Sequence, residues 1–325
     1  MKKSILMLTL LSAISYNACS DTLAAKKALD DENVTLAEQV FNELSSSERV
    51  SIEGQVITGR ILLAKDKTEE AFEHFEELSE QYSDNIDVHY YLGLSAVIMA
   101  QKASIFSKLG YAEDFIEAME KTIQLNPQHL DALNTLIGFH LAAPGIAGGD
   151  QDKALALAKQ IKSFNQEQGY AQLTNVYWRT EQKELAEQAF AEGIKQFPHS
   201  YSLYLNRAMA SFRAEDWQKA NTDLLKAVEY ATTDSERSQA LYQQGKVSVE
   251  SGKGIIFGIE ALNQALPIAD TKHQPWIKYR LAQLYTLNKE INKAKELVAT
   301  INLSKNEDLE DKVKKLTKKL KKLHS

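Results

Sequence analysis

Ala37, Phe41 and Leu44 recur 34 residues later as Ala71, Phe75 and Leu78, and Gly59 returns at the same interval as Gly93. No other feature constrains the fold as tightly, because a fixed interval defines both the building unit and the way units assemble. A unit of this length cannot bury a core of its own, so its neighbours must complete it.

Composition agrees with helices. In 325 residues there are 14 Gly and 5 Pro, too few for a turn-rich β architecture. Long stretches of Ala, Leu, Glu, Lys and Gln favour helix. The hydrophobic share of 44% and charged share of 25% are those of an ordinary folded chain, long enough for two domains or one extended array. The class read from these features is all-α.

Seven units can be followed in phase over residues 52–304. The first carries Gly59, Leu62, Ala71, Phe75 and Leu78; the second carries Leu92 and Gly93, then Phe115, Met119, Thr122 and Pro127 after an insertion at 101–110. Leu133, Leu136, Ala154 and Ile161 mark the third, around a second insertion at 143–150. Tyr170, Leu173, Tyr177, Ala186, Phe190, Gly193 and Pro198 mark the fourth, and Tyr204, Ala208, Ala220, Leu224 and Ala227 the fifth. The sixth is looser, with Leu241, Gly245, Gly258, Leu262 and Ala265, and the seventh has Leu281, Ala282, Tyr285, Ala294 and Val298. These residues in this register resemble the tetratricopeptide repeat family. Both insertions resemble stretches found in exported bacterial members that have no assigned activity. The resemblance implies a right-handed superhelical solenoid of antiparallel helix-turn-helix hairpins, lined on its inner surface by the first helix of each pair.

Both ends of such an array need covers. Residues 21–51 are expected to supply N-terminal capping helices, with 35–44 reading as an unpaired second helix. At the other end, residues 305–325 form an amphipathic capping helix in which Leu309, Val313, Leu316, Leu320 and Leu323 recur at intervals of three and four. Its lysines are expected to face solvent, with a membrane-surface or partner contact as the minor reading.

Residues 1–20 read as a signal peptide: Lys2 and Lys3 precede an apolar run from Ile5 to Ile14, too short to span a membrane. Cys19 is a candidate lipidation site of the bacterial lipoprotein type, and cleavage after Ser20 is the competing reading. The expected location is the periplasm, with or without a lipid anchor. As the only Cys, it leaves no internal disulfide to form. Loss of Lys2 and Lys3 takes the net charge from −6 to −8, and the last fourteen residues hold seven lysines, so the remainder carries about −15. An acidic body of this kind argues against nucleic acid as the main partner.

Catalytic equipment is missing from the pattern. His74, His89, His129, His140, His199, His273 and His324 are scattered, and none forms a helical pair with an acid as zinc hydrolases require. His140 reads as a packed, locally bonded core residue. The 143–150 loop, Ala-Pro-Gly-Ile-Ala-Gly-Gly-Asp, lacks the Lys-Ser/Thr ending of a phosphate loop; it is expected to serve local packing, with Asp150 capping the next helix. No cofactor and no metal site are expected, and the chain reads as a non-enzyme.

The family resemblance places certain first-helix positions on the inner surface. These are Tyr90, Leu94, Asn134, Asn175, Trp178 and Arg179, then Leu205, Met209, Phe212 and Arg213, then Tyr242, Lys246, Trp276 and Tyr279. Aromatics and arginines, the usual carriers of binding energy, concentrate in repeats four to seven. The carboxylate clamp of some relatives is mostly absent, since Asn175 and Asn206 fit two of its positions while Ala171, Gln239 and Gln243 stand where its basic residues belong. The expected function is a scaffold that binds a protein or peptide on its concave face; a ligand-binding accessory subunit of a transport system is the alternative.

Overall fold

The computed structural model describes residues 22–303 and 307–323. Residues 1–21, which include the expected signal peptide and Cys19, and His324 lie outside the described residues. Among those described, every regular element is a helix and no strand occurs.

Helix α1 (22–30) precedes α2 (Val34–Glu43) and the short α3 (Ser46–Val50). Helix pairs follow: α4 (Ile52–Ala64) and α5 (Thr68–Gln81), α6 (Ile86–Lys102) and α7 (Ile105–Leu125), α8 (Leu130–Ala142) and α9 (Gln151–Phe164), α10 (Gln166–Arg179) and α11 (Lys183–Gln196). The last three pairs are α12 (Tyr201–Arg213) and α13 (Trp217–Tyr230), α14 (Asp234–Ser251) and α15 (Ile255–Ala265), α16 (Gln274–Leu287) and α17 (Ile291–Ala299), before the final α18 (Glu307–Lys322). The described residues fall into two compact units that meet between Ala154 and Leu155, at the start of α9.

In the first unit, Ala25 of α1 packs with Ile57 and Ile61 of α4, and with Val40 and Phe41 of α2. The stretch 35–44 is therefore not an unpaired helix: α1 precedes it and shares its apolar face. Gly59 carries the close crossing of the first pair, since a Cβ there would sit 2.3 Å from Phe75 Cζ. The insertion at 101–110 is absorbed into long helices, 17 residues in α6 and 21 in α7. The insertion at 143–150 folds down locally. Gly148 adopts φ +89, its carbonyl accepts from His140 Nδ1 at 2.8 Å, and it lies against Ile116 of α7. Asp150 caps α9 by accepting from Asp152 N at 2.9 Å and Lys153 N at 3.0 Å.

The second unit repeats one core in four stacked segments. Tyr170, Ala171, Phe190 and Leu203 join α10, α11 and α12. Ala208, Ala220, Leu224, Ala227 and Ala240 join the fifth pair to α14. Leu241, Leu262, Ile277 and Leu281 carry the core onward. Leu309, Val313, Leu316 and Leu320 of α18 then cover Ala282, Ala294 and Ile301 of the seventh pair. Leu323 departs from that stripe: it is 52% exposed, in the turn that follows the helix.

Five turns share one backbone device. Glu32, Asp66, Glu181, Glu215 and Lys289 adopt φ between 55 and 63. In each case the following amide donates back to a helix carbonyl five residues upstream, as Asp216 N does to Ser211 O at 2.9 Å. This left-handed closure satisfies carbonyls that a helix end leaves open.

Candidate functional site

The residues expected on the inner surface divide between the two units. Tyr90 and Asn134 belong to the first, on α6 and α8, and both are half-buried. Tyr90 packs edge-to-face on Tyr91 at 5.2 Å and lies 4.8 Å from the His129 ring. Burial, reinforced by Asp131, pushes its hydroxyl up to about 12.

In the second unit, the first helix of each pair presents residues three and four apart, which share a helical face. Helix α10 supplies Asn175, Trp178 and Arg179; α12 supplies Met209, Phe212 and Arg213; α14 supplies Tyr242 and Lys246. Phe212 is braced edge-to-face by Trp217 at 5.3 Å, and Lys246 Nζ stands 4.7 Å from its ring centroid. Trp178 is half-buried, and its Nε1 is buried without a hydrogen-bond partner. Met209 and Tyr242 lean into the cores beneath them. Tyr279 of α16 is only 7% exposed and packs with Trp276 and the stripe of α18, so most of its ring serves the core.

The electrostatics of this face are lopsided. Arg213 is exposed, yet enough protein surrounds it that loss of hydration lowers its pKa, and the neighbouring Arg179 lowers it further. Burial also lowers the pKa of Lys246; Arg280 and Arg213 push the same way, against the opposing pull of Glu250. Among the described residues, neither Arg213 nor Lys246 has a carboxylate within ion-pair distance. Like charges held close to one another raise the free energy of the free protein, an arrangement that marks many ligand sites.

Sequence reasoning missed Arg280. It follows Lys246 by 34 residues, as Arg213 follows Arg179 by 34 and Lys246 follows Arg213 by 33. Counting on from Lys246 by the repeat interval would have found it. Its side chain is 14% exposed; Nη1 donates to Glu250 Oε1 at 3.0 Å and Gln283 Oε1 at 3.1 Å, while Nε is buried without a partner. Four cations thus recur once per hairpin along α10, α12, α14 and α16.

A model of the tetratricopeptide repeat family matches residues 96–129. The crystal structure of a tetratricopeptide repeat protein from Parabacteroides merdae is similar over 82% of this chain and 98% of that one, at 15% identity and a TM-score of 0.53. The chain has the tetratricopeptide repeat fold. Yeast Tom70 is similar over 83% of this chain and 63% of that one, at 15% identity and a TM-score of 0.52, so this chain spans less than two thirds of the Tom70 chain. No curated protein matches the sequence. At such identities the likeness establishes the fold, and tetratricopeptide repeats generally act as scaffolds for protein interaction.

Within the tetratricopeptide frame, the carboxylate-clamp positions are occupied by internal contacts. Asn206 Nδ2 donates to Ala171 O at 3.0 Å, and Gln239 Oε1 accepts from Tyr201 OH at 2.6 Å. Asn175 Nδ2 reaches Gln172 Oε1 at 3.4 Å. Among the described residues no group of three His, Cys, Asp or Glu is arranged to hold a metal ion, and no helix is long and apolar enough to cross a membrane. His74, His89 and His140 each bond a backbone carbonyl, at 2.9, 3.0 and 2.8 Å, which gives them local structural roles.

Proposed function

We propose that this chain is a non-catalytic scaffold of the bacterial envelope that holds a protein or peptide partner on the first-helix face of repeats four to seven. One observation carries the reading: Lys246 stands over the braced ring of Phe212, and neither it nor the neighbouring Arg213 has a carboxylate within ion-pair distance among the described residues. Cations beside an aromatic platform suit a segment that brings both acidic and apolar side chains. Trp178 adds half-buried aromatic surface and Arg179 a further cation.

Site-specific photocrosslinking at Met209 in intact cells tests the face directly. The Arg179→Ala/Arg213→Ala double variant is expected to lose most of the adduct formed by the parent chain. Unchanged capture would reject this face. The envelope location rests on the sequence of residues 1–20 and is tested by mass spectrometry of the mature N-terminus, where a lipid mass on Cys19 and a free chain starting after Ser20 are the two expected products. An N-terminus that retains Met1 would refute export.

A further inference from the structure

Helix α18 carries more than a capping stripe. Lys312, Lys315 and Lys319 stand at intervals of three and four along one side of it. With Glu250, Tyr279 and Gln283 they line a cleft of about 410 Å³ between α14, α16 and α18. Lys312 pairs with Asp308, and its Nζ lies 5.7 Å from the Trp276 ring. Lys315 and Lys319 are exposed and have no carboxylate partner among the described residues. The acid in the lining, Glu250, is already engaged by Arg280 at 3.0 Å.

This cleft begins where the cation row ends. Arg179, Arg213, Lys246 and Arg280 lead along the first helices to Glu250, and the lysines of α18 continue from there. Row and cleft lie within the same compact unit. We infer that they form one continuous track for an extended acidic segment of a partner protein, whose carboxylates engage the row and then seat among Lys312, Lys315 and Lys319. The inference rests on the scaffold reading above and names the chemistry of its ligand.

Spacing supports an extended peptide. Packed helices lie about 8–10 Å apart, so one cation per first helix recurs at roughly that pitch. A peptide in the polyproline II conformation advances about 3.1 Å per residue with three residues per turn, so every third side chain lies on one side and meets the next cation. A segment of about ten residues reaches from α10 to α16 at that rise. The occupant is a short acidic stretch rather than a long polyanion, because a chain that is −6 overall disfavours added negative charge outside its local basic track.

Fluorescence anisotropy with the whole mature chain tests the track. The probe is a labelled fifteen-residue peptide with Glu at every third position, compared with its Gln counterpart at ~50 mM salt, where charge is weakly screened. The Glu peptide is expected to bind about tenfold more tightly. Lys315→Gln/Lys319→Gln should weaken it about fivefold with an unchanged melting temperature, while Lys314→Gln/Lys318→Gln, elsewhere on α18, leaves it intact, because an exposed pair such as Lys314–Glu310 contributes little.

Equal binding of the Glu and Gln peptides would overturn the inference, as would equal losses in the two lysine variants. So would phosphatidylglycerol vesicles or a dT oligonucleotide that bind more tightly than the peptide and lose affinity in the same cleft variant. Crosslinking at Met209 separates this inference from the scaffold reading. Full capture by a Lys315→Gln/Lys319→Gln chain with unchanged peptide affinity removes the track and leaves the groove. Discrimination between the peptides without any capture at Met209 upholds the track and removes the scaffold reading.

Discussion

Asp223 is an acid placed among Ala220, Leu224 and Ala227 on the buried side of α13, and it is 1% exposed. Arg207 of α12 answers it with two bonds, Nε to Oδ2 at 2.8 Å and Nη2 to Oδ1 at 2.7 Å, while its guanidinium lies 3.4 Å over the Phe190 ring. One side chain therefore ties α11, α12 and α13 together. A buried carboxylate is tolerated only when paired and hydrogen-bonded, and removing one partner leaves the other in a poorly solvated place. Asp223→Ala is expected to cost roughly 3 kcal/mol, the low end of what breaking a buried pair costs, because Arg207 keeps 19% of its side chain in water. Urea denaturation measures the loss; a cost under about 1 kcal/mol would mean the pair behaves like a surface bridge. Part of this was legible in the sequence, since an acid inside the Ala220–Leu224–Ala227 stripe demands a partner. Its partner was not, because Arg207 stands 16 residues away on another helix and only the crossing of α12 and α13 brings them together.

At the scale of elements, helix ends show where sequence reading succeeds and where it fails. The Pro-Gly loop before α9 pointed to Asp150 as a cap, and the carboxylate accepts the amides of Lys153 and Asp152. Those bonds, that to Lys153 foremost, hold its pKa below the usual carboxylate range. A depressed folded pKa favours the ionised form, so the stabilising contribution is full above the unfolded value of about 3.9 and disappears as pH falls through the lower folded value. Asp150→Asn keeps the acceptor oxygen and removes the titration. The parent chain is expected to melt above this variant at pH 7, and the gap is expected to shrink as pH falls below the unfolded value. A gap of the same size on both sides of that value would show that the charge of the cap contributes nothing. By contrast, the left-handed residues at Glu32, Asp66, Glu181, Glu215 and Lys289 left no mark in the sequence. A glycine would have flagged such turns, and a Glu or Lys there reads as ordinary helix.

For the whole molecule, the 34-residue interval was enough to place the seven hairpins and the small residues at their crossings, because close packing admits nothing larger at Gly59 or Gly245, where an added Cβ would meet Leu262 Cγ at 2.4 Å. The division between Ala154 and Leu155 was not legible, since it falls inside the continuous helix α9 and no break in composition marks it. Neither was the cleft at α18, whose lysines read as solvating residues until α14 and α16 supplied its other wall. If stability in the second unit is a sum of neighbour interfaces, damage should stay local. Leu320, 1% exposed in the core that joins α18 to the seventh pair, provides the test. Leu320→Ala removes buried methyl groups and should cost roughly 3 kcal/mol at that interface. Hydrogen exchange of the full chain is then expected to show faster opening of α16, α17 and α18, while amides of α10 to α13 keep their protection. A uniform loss of protection across residues 155–323 would mean that this unit unfolds as a single cooperative body, and the stacked-hairpin account of its stability would fail.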